Sequence, residues 1–114
     1  MNPYITIITL AVTDLQRSVR FYHEGLGLPL KGEPENIAFF ETGGTILALY
    51  PRDALAEDIT IPAPGSGFPG FTLAHNVASP EEVDAVLSQA VAAGAMLVKP
   101  GQKVFWGGYS GYFA

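Results

Sequence analysis

The feature that most constrains this 114-residue chain is a repeated order of elements. ITLAVTDLQRSVRFYHEGLGLPL in the first half and FTLAHNVASPEEVDAVLSQAVAAGAMLV in the second each read as strand, capped helix, glycine stop and strand. TLA recurs at 9–11 and 72–74. Three identical residues carry little weight alone; the shared order predicts two copies of one supersecondary unit.

In the first copy, YITIITLAV is apolar and β-branched on both faces, as expected of a strand covered on both sides. Asp14 is placed to cap a helix whose apolar stripe is Leu15, Val19, Tyr22 and Leu26, and Gly25 and Gly27 end it. Strands are expected at 28–31, 37–42 and 45–50, the last two joined at Gly43-Gly44, the spacer of a tight hairpin. Residues 51–70 are rich in proline and lack a period, so they read as a connector or lid with one helical turn at 54–57.

In the second copy FTLAHNV reads as a strand. Ser79, Pro80 and Glu82 supply a cap, an N1 proline and a capping box for a helix with Val83, Val86, Leu87, Ala90 and Val91 on its apolar face and Gly94 at its end. Residues 96–99 form another strand that Pro100-Gly101 breaks, and the tail FWGGYSGYFA begins a further one. The reading is thus a single domain with a first module at 1–50, a linker at 51–70 and a second module at 71–114. The first copy holds four strands and the second at most three, so a final strand is expected beyond residue 114.

Composition narrows the function. Hydrophobic residues make up 48% of the chain, with seven Phe and five Tyr, enough for a packed core. Six Lys plus Arg stand against eleven Asp plus Glu, and the cations are scattered, so no basic stripe is present to neutralise a phosphate backbone and no nucleic-acid partner is expected. There is no cysteine for a disulfide or thiolate site. The start lacks a basic leader, and no apolar run reaches the roughly 20 residues of a membrane span, so a cytoplasmic protein without membrane association is expected.

Three stretches, VTDLQRSVRFYHEGLGL, GGTILALYPR and AAGAMLVKP with GYSGYFA, resemble the vicinal-oxygen-chelate superfamily, the glyoxalase, bleomycin-resistance and extradiol-dioxygenase group. The resemblance implies an α+β fold in which two βαβββ modules form a curled mixed sheet around a shared cavity, and it implies pairing into homodimers. It also implies, for metal-dependent members, a His near the start of each module's first strand and a further ligand on each last strand, holding a divalent ion that polarises substrate oxygens. Carried onto this chain, those positions are Ile7, Leu47 and Phe71 (Gly70 if the register slips by one), with the fourth beyond residue 114. None offers a donor, so neither a metal nor another cofactor is expected.

The remaining candidates carry two readings each. His75 shares strand parity with Phe71 and is either a base or ligand-binding group or a histidine bonding to the loop before Ser79. Glu41, beside Phe39 and Phe40, is either a buried carboxylate fit for acid–base work or the exposed residue of a one-sided strand. Arg52 pairs with an anionic substrate or with Asp53 or Glu57, and His23 reads as a solvated helix end. The tail aromatics Trp106, Tyr109 and Tyr112 line a cavity or pack between modules. Phosphate-loop, serine- or cysteine-nucleophile and His-x-x-x-His patterns are all missing from the sequence. Two functions follow: a metal-free protein binding a small molecule in an aromatic cavity, or a glyoxalase-like lyase using His75, Glu41 or a residue past Ala114.

Overall fold

Phe40 and Leu49, both fully buried, are the centre around which the first half of the chain packs. The structure, a computed structural model, describes residues 2–65, 69, 71–104 and 107–114. Its contacts divide the chain into two compact units, Met1–Ser66 and Gly67–Ala114. Among the described residues no helix is long and apolar enough to cross a membrane.

The first unit runs β1 (Ile7–Val12), α1 (Leu15–Arg20), β2 (Leu30–Gly32), β3 (Ala38–Glu41), β4 (Ile46–Pro51) and α2 (Arg52–Ile59). The Asp14 side chain accepts from the Arg17 N–H at 3.1 Å and so starts α1 as expected. The helix then widens into a π-helical turn over Phe21–Gly25, and Gly27, at φ +81°, turns the chain away with its N–H on the His23 carbonyl. The four strands form one sheet in the order β1-β4-β3-β2, with β1 parallel to β4 and the other pairs antiparallel. Val19, Ala38, Phe40, Leu47 and Leu49 make the core, flanked by Ile8, Leu10, Val12, Leu15 and Tyr22, so α1 covers one face of the sheet.

Two expectations need correction in this unit. The β3–β4 connection is longer than a two-residue spacer: Glu41 pairs with Ile46, leaving 42–45 as the loop. The Thr42 hydroxyl donates to the Thr45 carbonyl, and the Thr45 hydroxyl donates to the Ile5 carbonyl at 2.9 Å, so both threonines bond outside the ladder. The single turn expected at 54–57 is the eight-residue α2, which good helix formers such as Ala54, Leu55, Ala56 and Glu57 extend until Thr60 caps it in the left-handed region at φ +59°.

The second unit contains α3 (Pro80–Ala92), β5 (Leu97–Lys103) and β6 (Tyr109–Phe113). The Ser79 hydroxyl accepts from the Glu82 N–H at 3.2 Å, and Pro80 opens the helix, as read from the sequence. Of the expected apolar face Leu87 and Ala90 are buried, whereas Val91 is exposed. Pro100-Gly101 does not break the strand. β5 runs through it, and its register against β6 slips by one residue between Leu97 and Lys99 and again between Lys99 and Gln102. A bulge accommodates the missing proline N–H without ending the ladder.

FTLAHNV forms no strand among the described residues: 71–77 lie outside any ladder, with Phe71 and Leu73 exposed. The physical reason is pairing. Among the described residues the corresponding strand of the first unit, β1, has β4 as its one ladder partner, the strand after the hairpin, and in the second unit β5 and β6 pair only with each other.

A two-stranded ribbon is marginal by itself, and α3 supplies its cover. The close approach depends on Gly111. A Cβ there would stand 2.6 Å from Leu87 Cδ1 and 2.8 Å from the Lys99 carbonyl oxygen, and the second neighbour is backbone. Gly111→Ala is therefore expected to lower stability by about 1–3 kcal/mol, the usual cost of overpacking, read as a lower urea midpoint at unchanged m-value. Gly43→Ala, whose added Cβ would meet open space at φ +83°, is expected to show only the smaller left-handed backbone cost of about 1–2 kcal/mol.

Candidate functional site

The β1–β4 register decides which side chains of the first unit are available for chemistry. Ile8, Leu10 and Val12 point into the core with Leu47 and Leu49. By strand alternation the opposite, helix-free face carries Ile7, Thr9 and Ala11 from β1 and their partners Ile46, Ala48 and Tyr50 from β4. Phe39 of β3 lies opposite Ala48, and Glu41 opposite Ile46, on that same face. Ile7, Thr9 and Ala11 are exposed, and Ile46, Phe39 and Tyr50 are partly so.

This geometry corrects one expected site position. Leu47 is 8% exposed and belongs to the core beneath α1; the residue paired with Ile7 on the open face is Ile46. The correction does not create a metal site. Isoleucine, like the Phe71 at the third expected position, has no lone pair to offer a cation, and no group of three or more His, Asp or Glu side chains able to hold an ion occurs among the described residues. The residues present do not fit the divalent ion that the resemblance implies.

Glu41 is not a buried carboxylate. It ends β3 with its side chain about half exposed and forms an ion pair with Lys31 at 3.3 Å, a contact that β2–β3 pairing makes nearly inevitable. Arg52 pairs with neither Asp53 nor Glu57. Its Nε donates to the Ala63 carbonyl at 2.9 Å and pins the connector back onto the start of α2. His23, expected as a solvated helix end, is exposed, and its Nδ1 donates to the Leu28 carbonyl at 2.8 Å, satisfying a group just past the helix.

An aromatic cluster lies in the first unit, where the sequence reading did not place it. Phe21 and Tyr22 meet edge to face with ring centroids 5.0 Å apart, and Tyr22 leans on Phe40 at 6.1 Å. Burial pushes the Tyr22 phenol above its ordinary pKa by penalising the phenolate. The signal was the i to i+3 step from Val19 to Tyr22 on the helical stripe, which points that ring at the sheet.

In the second unit Trp106 lies outside the described residues. Tyr109 and Tyr112, read from the sequence as lining a cavity or packing between modules, occupy opposite faces of β6, as an odd spacing along a strand requires. Tyr112 is exposed. Tyr109 lies against α3, where its hydroxyl donates to the Asp84 carboxylate at 2.9 and 3.1 Å from the two oxygens. Gly101 makes room for this contact, since a Cβ there would run into the Asp84 carboxylate and the Tyr109 ring. Asp84 was missed as a functional candidate, although its place three residues before buried Leu87 puts it beside the packed face of α3. His75 is exposed in the segment without a ladder, as is Phe71.

The hydrogen bond to Asp84 is the main cause of a raised Tyr109 pKa, with burial and the negative charges of Asp84 and Glu81 adding to it. A phenol held protonated in the fold stabilises the native state below its unfolded pKa of about 10, and that contribution is lost as pH rises through the higher folded value. Spectrophotometric titration is expected to show two tyrosines, Tyr22 and Tyr109, ionising late in the wild-type protein and one in Tyr109→Phe. The stability gap between the two proteins is expected to narrow above pH 10, and a gap independent of pH would remove the Asp84 contact from the account.

Comparison with known proteins gives a consistent picture. The family model described as Glyoxalase/Bleomycin resistance protein/Dioxygenase superfamily matches residues 4–114. Among solved structures, a glyoxalase-related enzyme from Fulvimarina pelagi is 35% identical, with a TM-score of 0.87 over 98% of this chain and 80% of that one. A glyoxalase/bleomycin resistance protein/dioxygenase from Nocardioides is 32% identical, with a TM-score of 0.80 over 100% of this chain and 77% of that one. A lactoylglutathione lyase from Agrobacterium tumefaciens, 22% identical over 96% of this chain and 83% of its own with a TM-score of 0.66, shares the fold. No curated protein matches.

Proposed function

The chain belongs to the Glyoxalase/Bleomycin resistance protein/Dioxygenase superfamily, and on that premise we propose that it binds a small molecule against the helix-free face of its first sheet without the family's divalent metal. The observation that carries this reading is the pairing of Ile7 with Ile46, two isoleucines side by side on the open face where an N or O donor pair would otherwise stand. Phe39 and Tyr50, both partly exposed, continue the surface with apolar area and one phenol. Such a surface binds by burying apolar ligand area and orients it through few polar groups, here Thr9 and Tyr50.

A second reading has one specific support. The 35% identical protein from Fulvimarina pelagi is described as a glyoxalase-related enzyme, so a lyase-type reaction using groups other than the family ligands remains the competing function. His75 is its available base. Glu41 would have to leave Lys31 to take part. Pairing of two copies, cytoplasmic residence and a curled sheet enclosing the ligand belong to the proposal as well, and sedimentation velocity at several concentrations tests the first of these.

Four measurements separate the functions. Elemental analysis of protein purified without chelators is expected to find less than stoichiometric divalent metal, and Zn²⁺, Ni²⁺ or Mn²⁺ to leave its melting temperature unchanged; one tightly held ion per chain would overturn the metal-free reading. A thermal-shift screen of uncharged aromatic compounds is expected to yield binders whose effect disappears in Ile46→Asp. Turnover of a glutathione hemithioacetal that His75→Ala abolishes would establish the lyase instead.

A further inference from the structure

We propose that the second unit carries a separate binding site for a small amphipathic anion, a compound with an apolar aromatic or branched body and a single carboxylate or sulfonate. The site is a depression of about 520 Å³ between the start of α3 and the β5–β6 strands, within the roughly 300–1,000 Å³ usual for small-molecule sites. All of its lining residues belong to the second unit.

The lining is divided by chemistry. Val77, Pro80, Val83 and Val104 supply an apolar floor, and Lys103 is the one charged side chain of the wall among the described residues. Lys103 makes no ion pair with a described residue and is exposed. Strand pairing sets it directly beside Tyr109, which also lines the depression. The Tyr109 hydroxyl proton is committed to Asp84, so the ring is held in one orientation and offers apolar area. Ser79 is committed in the same way to the helix cap. The uncommitted polar group is therefore a cation beside an apolar floor, and an anionic head on an apolar body complements both.

Asp84 and Glu81 oppose an anion, since both act on Tyr109 from α3. Their presence gives the site a signature. Affinity is expected to rise when Asp84 is neutralised as Asn, which retains an acceptor for Tyr109, whereas a site built for a cation would lose affinity. Dianions are expected to bind no better than monoanions, because each added charge meets the same two carboxylates.

The test uses 8-anilinonaphthalene-1-sulfonate, an aromatic body with one sulfonate, titrated by fluorescence against the full chain. Wild-type protein is expected to bind it saturably and to release it as salt is raised. Lys103→Glu is expected to weaken binding at least about tenfold, more than the roughly fivefold upper value for losing one exposed charge pair, because a repulsion replaces the attraction. Val83→Asp is expected to weaken it similarly, and Asp84→Asn to strengthen it. Thr9→Asp, on the open face of the first sheet, is expected to leave the affinity unchanged. Circular dichroism confirms that each variant is folded, and Lys103→Gln replaces Lys103→Glu if that variant is not. No saturable binding, or equal affinity in the wild type and the Lys103 and Val83 variants, would overturn the proposal. Loss of binding in Thr9→Asp alone would overturn it too, and would place the probe on the first sheet's open face.

Discussion

The parallel ladder between β1 and β4 is the constraint from which the first unit's organisation follows. It joins the first strand of the unit to the last across about forty residues of chain and so sets β1 at the edge of the sheet beside β4. Once Ile8 stands beside Leu47, strand alternation leaves no freedom: Leu47 and Leu49 must enter the core under α1, and Ile7 and Ile46 must face the other way. The loop hydrogen bond from Thr45 to the Ile5 carbonyl extends the same alignment beyond the last ladder pair.

Much of this architecture was legible in the sequence because its signals were local. Asp14 and Ser79 announce helix starts through the hydrogen bonds they can accept, Pro80 through its fixed φ and missing donor, and the stripe from Leu15 to Tyr22 announces a buried face. What escaped was everything that depends on counting across a pairing. Leu47 and Ile46 differ by one place in the text and by a whole sheet in space, and only the register with β1 tells them apart. For Glu41 the sequence left a buried and an exposed reading open, and the structure has the exposed one, beside Lys31.

The strand expected at 71–77 illustrates a different limit. Its sequence has the composition of a strand, but composition supplies only half of each hydrogen bond, and the second half must come from another strand. In the second unit the described ladder is the β5–β6 ribbon covered by α3, where two glycines allow the close approach and a tyrosine–aspartate hydrogen bond ties the ribbon to the helix.

The two register slips in β5 have a consequence for how such a protein can change. Each shifts the strand by one residue, and together they bring Gly101 and Lys103 under α3 while leaving Lys99 and Gln102 on the far side with Tyr112 and Ser110. Adding a single codon between 97 and 102 would therefore turn one part of β5 over relative to the rest, exchanging its two faces with every side chain of the strand retained.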